Sequence, residues 1–381
     1  MSRNNKSVGV VKTKYFEFDE LALASGEKLA PVRVAYETYG KLNRDRSNAI
    51  LLCHALSGDA HAAGKHRKIS RKHGWYDIAV GPGKTFDTRK YFVICSNVIG
   101  GCKGSTGPST INPKTRKPYG IDFPIVTIKD IVAAQKRLID HFGIKKLFLV
   151  TGGSLGGMQV LQWAVTYPES VHLAIPVATA AKQYPVGLVF NDIGRRAILN
   201  DPDWRGGNYY DRGQPKRGLS LARQIGHITY LSQETLLRKF GREKAKRGNG
   251  KRKFGIEYEL QSYFDHKGKS FVRRFDANSY LYITNAIDHF DLTEGGKRKL
   301  ADVFKKVKAK FLLVSFTSDW LYPPEQVEEI YAGLAEAGVP SVYKKLDLPY
   351  GHDGFLVYNN TLGNLLLKFI ENEARKYFKA V

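Results

Sequence analysis

The chain has 381 residues, with 43% hydrophobic and 12% aromatic residues, enough to bury the core of one large α/β domain carrying an insertion, or of two domains. Residues 1–14 are polar and basic, and no apolar run approaches the roughly 20 residues of a membrane span, so neither a leader nor a membrane anchor is expected and a cytoplasmic location is. Three cysteines, Cys53, Cys95 and Cys102, with no C-x-x-C spacing exclude a disulfide framework or a zinc ribbon and suit reduced thiols. Sixty Lys and Arg against 36 Asp and Glu give a net charge of +24. That excess points to an acidic partner such as nucleic acid, anionic lipid or a polyphosphate substrate, or simply to solvated basic loops. It is concentrated in 238–253 and 65–73. Nucleic-acid-binding patterns are missing, and the basic residues are not interleaved with aromatics as a stacking platform would require.

In chain order, short apolar runs at 49–56, 91–97, 146–151, 173–178, 310–316 and 342–348 predict strands buried on both faces. Helical spacing over 129–142 and 324–338 alternates with them, so the expected class is α/β, a mostly parallel sheet with helices on both faces. The alternation stops between 181 and 298, where charged and aromatic text with helical stretches at 219–231 and 279–287 replaces the aliphatic runs. The expected organisation is therefore a core of 1–180 and 299–381 with a helical cap, 181–298, inserted between two core strands.

The run 146–151 passes directly into Gly152-Gly-Ser-Leu-Gly-Gly157, and 158–167 then reads as a helix stopped by Pro168. This is G-x-S-x-G between a strand and a helix, the context of a nucleophile elbow, with Ser154 as the nucleophile. Glycines at 152 and 156 suit a turn too tight for side chains, and the positive end of the following helix favours anionic intermediates. A serine hydroxyl needs a base and a carboxylate that orients it, in the chain order Ser, Asp, His. Asp319 directly follows the predicted strand 310–316, and His352 follows the strand 342–348 on a glycine-flanked loop. Two oxyanion donors are expected from the amides of Leu155, next to the nucleophile, and Leu56, in the loop after the strand 49–56.

Together, His54-Ala-Leu-Ser-Gly-Asp-Ala-His61, Asn97-Val-Ile-Gly-Gly-Cys-Lys-Gly-Ser-Thr-Gly-Pro108, Gly152-Gly-Ser-Leu-Gly-Gly-Met-Gln159, Ala222-Arg-Gln-Ile-Gly-His-Ile-Thr-Tyr230, Ser318-Asp-Trp-Leu321 and Gly351-His-Asp353 resemble the homoserine O-acyltransferases of the α/β-hydrolase fold, most of all homoserine O-acetyltransferase. The resemblance runs from about Val32 to Lys368 and implies the triad Ser154, Asp319 and His352. It further implies that Arg223 holds the homoserine carboxylate, that Tyr230 assists it, that Asp353 faces the amino group, and that Ser57 lies among the substrate contacts. A bidentate guanidinium for a carboxylate and a carboxylate for an ammonium are chemically sensible choices. The chain departs mildly from the family pattern: Leu155 stands where methionine is expected, Ser57 where threonine is common, and Gly354 where alanine is usual. The basic tract 238–253 is stronger than the family pattern leads one to expect, and the resemblance implies no role for it.

The resemblance implies double displacement from an acyl-coenzyme A to the γ-hydroxyl of L-homoserine, in methionine biosynthesis. It implies no metal and no resident cofactor, coenzyme A being a co-substrate, and a homodimer formed through the cap. Leu321 follows the Asp-Trp of the aspartate motif, where succinyl-using relatives carry arginine. An apolar residue there offers no partner to a second carboxylate, so acetyl is the expected acyl group. The alternatives are succinyl transfer, or water as acceptor in an esterase or thioesterase.

Overall fold

The computed structural model describes residues 7–245, 254–357 and 359–380, so part of the basic tract, 246–253, lies outside the described residues. An N-terminal stretch that the apolar runs did not reveal comes first: β1 (Lys14–Phe18), β2 (Leu21–Ala22), β3 (Lys28–Leu29) and β4 (Val32–Tyr39). β1 and β4 pair antiparallel at one edge of the main sheet, and β2 and β3 form a small ribbon. β1, at the edge, is exposed or half-buried at every residue, whereas β4, paired on both sides, is buried at six of its eight positions, its apolar run broken by Arg33 and the buried Glu37.

The core strands follow the predicted runs with ends shifted by one to three residues: β5 (Ala49–Cys53), β6 (Phe92–Ser96), and, after α1 (Ile128–His141), β7 (Leu147–Gly153), α2 (Leu155–Thr166) and β8 (Val171–Val177). Every residue of β5 and β6 is buried. The run 49–56 loses its last three residues to a loop, which leaves Leu56 outside the strand. α1 starts at a capping box in which Thr127 and Asp130 each bond the other's backbone amide.

Between β8 and β9 the chain forms α3 (Pro185–Leu199), α4 (Lys216–Tyr230), α5 (Gln233–Phe240), α6 (Glu259–Val272), α7 (Ala277–Asp288) and α8 (Leu300–Phe304). It returns to the sheet with β9 (Lys310–Phe316), α9 (Pro324–Glu336) and β10 (Ser341–Leu346), and ends with α10 (Gly354–Val357) and α11 (Asn360–Ala380).

The eight-stranded order is β1-β4-β6-β5-β7-β8-β9-β10, parallel from β6 to β10. Alternate residues of each central strand enter two separate cores. Leu51 and Cys53 of β5 face one, packed with α1 and α2; Ile50 and Leu52 face the other, with Leu362, Leu366 and Ile370 of α11. Because β6 and β7 flank β5 on opposite sides, the strand order reverses there, and the carboxyl ends of β5 and β7 open where side chains can meet a ligand.

Candidate active site

Ser154 is the N-cap of α2 and adopts φ 59°, ψ −126°, a conformation that costs a non-glycine residue energy and is held by the surrounding structure. Its own amide is clamped by the carbonyls of Val177 and Ala178 at 3.0 and 3.2 Å. The glycines around it are demanded by packing. A Cβ on Gly152 or Gly156 would stand 2.4 or 2.2 Å from the Cys53 carbonyl oxygen, so strand β5 and helix α2 approach only if both lack side chains. A Cβ on Gly153 would lie 2.5 Å from the Phe355 ring, and one on Gly157 2.5 Å from Thr179.

Leu155 is the first residue of α2, where amides have no acceptor within the helix. The loop bearing Leu56 and Ser57 is tied to that helix by Gln159, whose Nε2 donates to the carbonyls of His54 and Leu155, both at 3.1 Å. Behind it runs a buried amide chain: Trp163 Nε1 donates to Gln135 Oε1, and Gln135 Nε2 to Gln159 Oε1, each at 2.8 Å. His54 secures the other side of the loop, donating from Nδ1 to the Ala55 carbonyl at 2.8 Å and accepting from the Val98 amide at 3.2 Å. Burial pushes its pKa down, which keeps it neutral in that arrangement.

Asp319 and His352 meet. His352 Nδ1 bonds Asp319 Oδ2 at 2.8 Å, and both residues are 2% exposed. Asp319 Oδ1 accepts the amides of Leu321 and Tyr322 at 3.0 Å each, which fixes the carboxylate. The histidine therefore carries its proton on Nδ1 and keeps the Nε2 lone pair for a hydroxyl. Its loop is pinned by Ser318, whose hydroxyl donates to the Leu348 carbonyl and accepts the Gly351 amide. Gly351 has φ 68°, and a Cβ there would stand 2.5 Å from the Ser232 nitrogen. Phe355, whose ring lies against Gly153, also contacts the His352 ring at 5.6 Å between centroids, linking the histidine loop to the elbow.

The helical insertion closes on this pair. Tyr230, the last residue of α4, lies 5.8 Å from the His352 ring, and the Arg223 guanidinium lies 5.2 Å from the Tyr230 ring. Arg223 Nη1 is buried without a hydrogen-bond partner, and among the described residues no carboxylate comes within ion-pair distance of Arg223. Asp353 faces the same space: burial pushes its carboxyl up, against the opposing charges of His352, Arg223 and Lys267. Arg223 and Asp353, distant in sequence, are thus neighbours without being an ion pair. The Ser57 carbonyl accepts from Arg274 Nη1 at 2.8 Å, while Leu321 is half-buried against the core.

Gln159, Arg274, His227 and Lys267 were not singled out from the sequence. A glutamine on an otherwise apolar helix face was the available signal for the first; His227 sits one turn from Arg223 on the same face of α4. One group of possible metal ligands occurs among the described residues, Glu37, His61 and His66. Both Glu37 oxygens are already occupied, Oε1 by Thr13 and His66 at 2.8 and 2.7 Å, Oε2 by Tyr39 and His61 at 2.8 and 2.9 Å. Burial raises the Glu37 pKa, but these bonds outweigh it and the net shift is downward. The arrangement is a buried anion solvated by four donors. Among the described residues no helix is long and apolar enough to cross a membrane.

A glycine-walled elbow with a positive-φ serine, at the carboxyl end of a parallel sheet that also delivers an Asp-His pair, defines an α/β-hydrolase. A profile described as the alpha/beta hydrolase fold matches residues 48–357. The homoserine O-acetyltransferase of Methanohalobium evestigatum is 56% identical over 368 residues, 96% of this chain and 75% of that protein. Among solved structures, homoserine O-acetyltransferase from Bacillus anthracis superposes with a TM-score of 0.88 at 31% identity, covering 95% of this chain and 98% of that one. Esterase E22 gives 0.86 at 29%, covering 95% and 100%. The chain belongs to the homoserine O-acetyltransferase family and is an acyltransferase.

Proposed function

We propose that this enzyme moves an acetyl group from acetyl-coenzyme A to the γ-hydroxyl of L-homoserine by double displacement, a step of methionine biosynthesis. Ser154 Oγ attacks the thioester carbon while its proton passes to His352 Nε2. The amides of Leu56 and Leu155 hold the oxyanion, the C–S bond breaks, and the departing thiolate takes the proton. The γ-hydroxyl then gives its proton to Nε2 and attacks the ester carbon, and Ser154 leaves reprotonated. Asp319 stabilises the imidazolium formed in both halves.

The observation that carries the acceptor reading is Arg223: a buried guanidinium nitrogen without a partner costs free energy until an anion arrives. With Asp353 opposite, the space suits a zwitterion bearing a carboxylate and an ammonium. The insertion, 181–298, is in this reading the cap that supplies the acceptor site, while the core supplies the nucleophile and its base. Similarity to esterase E22 favours a second reading, water as acceptor, but hydrolysis gives Arg223 and Asp353 no work. Leu321 supports acetyl over succinyl because it offers no charge to a second carboxylate.

Exposed Val186, Val189 and Ile193 on α3 and Leu221 and Ile228 on α4 support a homodimer through the insertion. Light scattering would reveal a monomer if that part is wrong.

The deciding experiment has two arms. Mass spectrometry after incubation with acetyl- or succinyl-coenzyme A should show an acetyl adduct on Ser154, and addition of L-homoserine should discharge it far faster than water does. A succinyl adduct formed in preference would reverse the donor assignment, and discharge insensitive to homoserine would leave the esterase reading.

A further inference from the structure

Arg223 and His227 lie one turn apart on α4, and Tyr263 faces them from α6. His227 is 3% exposed and bonded at both ring nitrogens, to Arg223 Nη2 at 3.4 Å through Nδ1 and to the Tyr263 hydroxyl at 3.1 Å through Nε2. A guanidinium only donates, so Nδ1 is the acceptor and the imidazole proton sits on Nε2, donated to Tyr263. The guanidinium is also held between two rings, 5.2 Å from the centroid of Tyr230 and 5.1 Å from that of Phe271. Its other terminal nitrogen, Nη1, is left unpartnered.

Positive charge surrounds this imidazole. Lys239 and Lys267 stand 4.5 and 5.1 Å from the Tyr263 ring centroid. Burial, then the charges of Arg223, Lys267 and Lys239, push the His227 pKa down to about 3, so its lone pair stays available to Arg223 at any working pH.

We propose that His227 is a positioning residue for acceptor selection: by bridging Arg223 on α4 to Tyr263 on α6, it fixes one guanidinium nitrogen so that the other is presented to the carboxylate of the acceptor. This rests on the acceptor reading above. The alternative fate of a free arginine explains the need. Asp353 is the nearby acid that acts on both Tyr230 and Tyr263 together with Arg223. An untethered guanidinium could swing onto that carboxylate, closing an internal ion pair that would neutralise both halves of the acceptor site. A neutral imidazole holds the arginine without satisfying its charge.

The test compares kcat/KM for L-homoserine and for its decarboxylated analogue aminopropanol, alongside the burst of coenzyme A released by acetyl-coenzyme A without acceptor. His227→Leu should lower kcat/KM for homoserine by about tenfold, mainly through KM, and leave both aminopropanol use and the burst unchanged. His227→Asn, which keeps an acceptor atom near the Nδ1 position, should recover most of the loss. Tyr263→Phe removes the far end of the bridge with almost no change in volume and should lower homoserine selectivity about threefold, an arm that stands even if His227→Leu folds poorly. Equal losses on both acceptors, or a reduced burst in Tyr263→Phe, would mean a merely structural role and overturn the proposal. A wild-type enzyme indifferent between the two acceptors would sink the acceptor reading and the proposal with it, whereas selectivity retained in both variants would sink the proposal alone.

Discussion

The ends of the sheet strands and the helical insertion meet around His352, yet they are built on opposite terms. Around Ser154 the structure is over-determined: β5 is buried throughout, the elbow glycines leave no room for a methyl group, and Gln159 ties the loop after β5 to α2 through a fully buried amide chain. The insertion is looser. None of the described residues of α5 is buried and α3 buries only Gly187, Gly194 and Ile198, although α7 is buried along most of its length, and at the inner face Arg223 has a buried guanidinium nitrogen without a partner. The core spends its packing on geometry that any acyl transfer requires, while the insertion carries the charges that would choose the acceptor.

If that division is right, damage to the two regions should separate kinetically. The largest effect is expected from Ser154→Ala, which removes one half-exposed hydroxyl and opens no core cavity. Turnover should fall by about three orders of magnitude or more with the thermal midpoint unchanged. A variant retaining a tenth of the activity would mean that the nucleophile lies elsewhere.

Arg223→Ala should come next. Losing a charge-assisted contact to a carboxylate costs about 2–5 kcal/mol where the partner is left unpaired. That loss should appear in kcat/KM for homoserine alone, with coenzyme A release in the absence of acceptor preserved. Comparable losses in both half-reactions would erase the distinction between the two regions.

Gln159→Leu probes the opposite side of the comparison. It leaves the His54 carbonyl and the Gln135 amide without their bonds, at about 1–3 kcal/mol for each buried group left unsatisfied. Because the oxyanion loop serves both halves of the reaction, acylation and deacylation should slow together, by about tenfold, and the thermal midpoint should drop. A selective effect on the acceptor, measured by stopped-flow of each half, would contradict the assignment.

The smallest effect concerns stability. Burial holds the Asp353 carboxyl above the usual carboxylate range, against the pull of His352, Arg223 and Lys267. A carboxyl whose pKa is raised on folding favours the fold while it is protonated. Its contribution is therefore complete below the ordinary carboxylate range and is lost as pH rises through the folded value. Asp353→Asn should remove that dependence, so that the variant melts slightly above the parent at neutral pH and level with it in acid, while using homoserine poorly. Melting curves at the two pH values decide; a variant less stable than the parent at neutral pH would show that the charge is paid for by contacts not yet recognised.

Local pattern determined a good deal by itself. Strands buried on both faces have to read as unbroken apolar runs, so β5 to β9 were legible to within about three residues, and 310–316 coincides with β9; 342–348 does hold a strand, β10, but it closes the sheet as an edge with none of its residues buried, against the expectation of burial on both faces. The elbow was legible because a strand-to-helix turn of that tightness requires glycine two residues before and two after the serine, where a Cβ would meet the Cys53 carbonyl, and the order Ser, Asp, His narrowed ten histidines to His352. β1 was missed because an edge strand open to water carries no such run, β2 and β3 because they are two residues each, and β4 because Arg33 and Glu37 interrupt its apolar residues although most of the strand is buried. What only the tertiary structure decided are relations between distant side chains: Asp319 against His352, Gln159 beneath the loop after β5, and Arg223 brought within electrostatic reach of Asp353 with one guanidinium nitrogen left unpartnered. A surface arginine on an amphipathic helix and a buried one with an unpartnered nitrogen have the same local sequence. The difference lies in which helices fold over it, since burial is a property of the packed chain and turns an ordinary charge into an unmet demand for a partner.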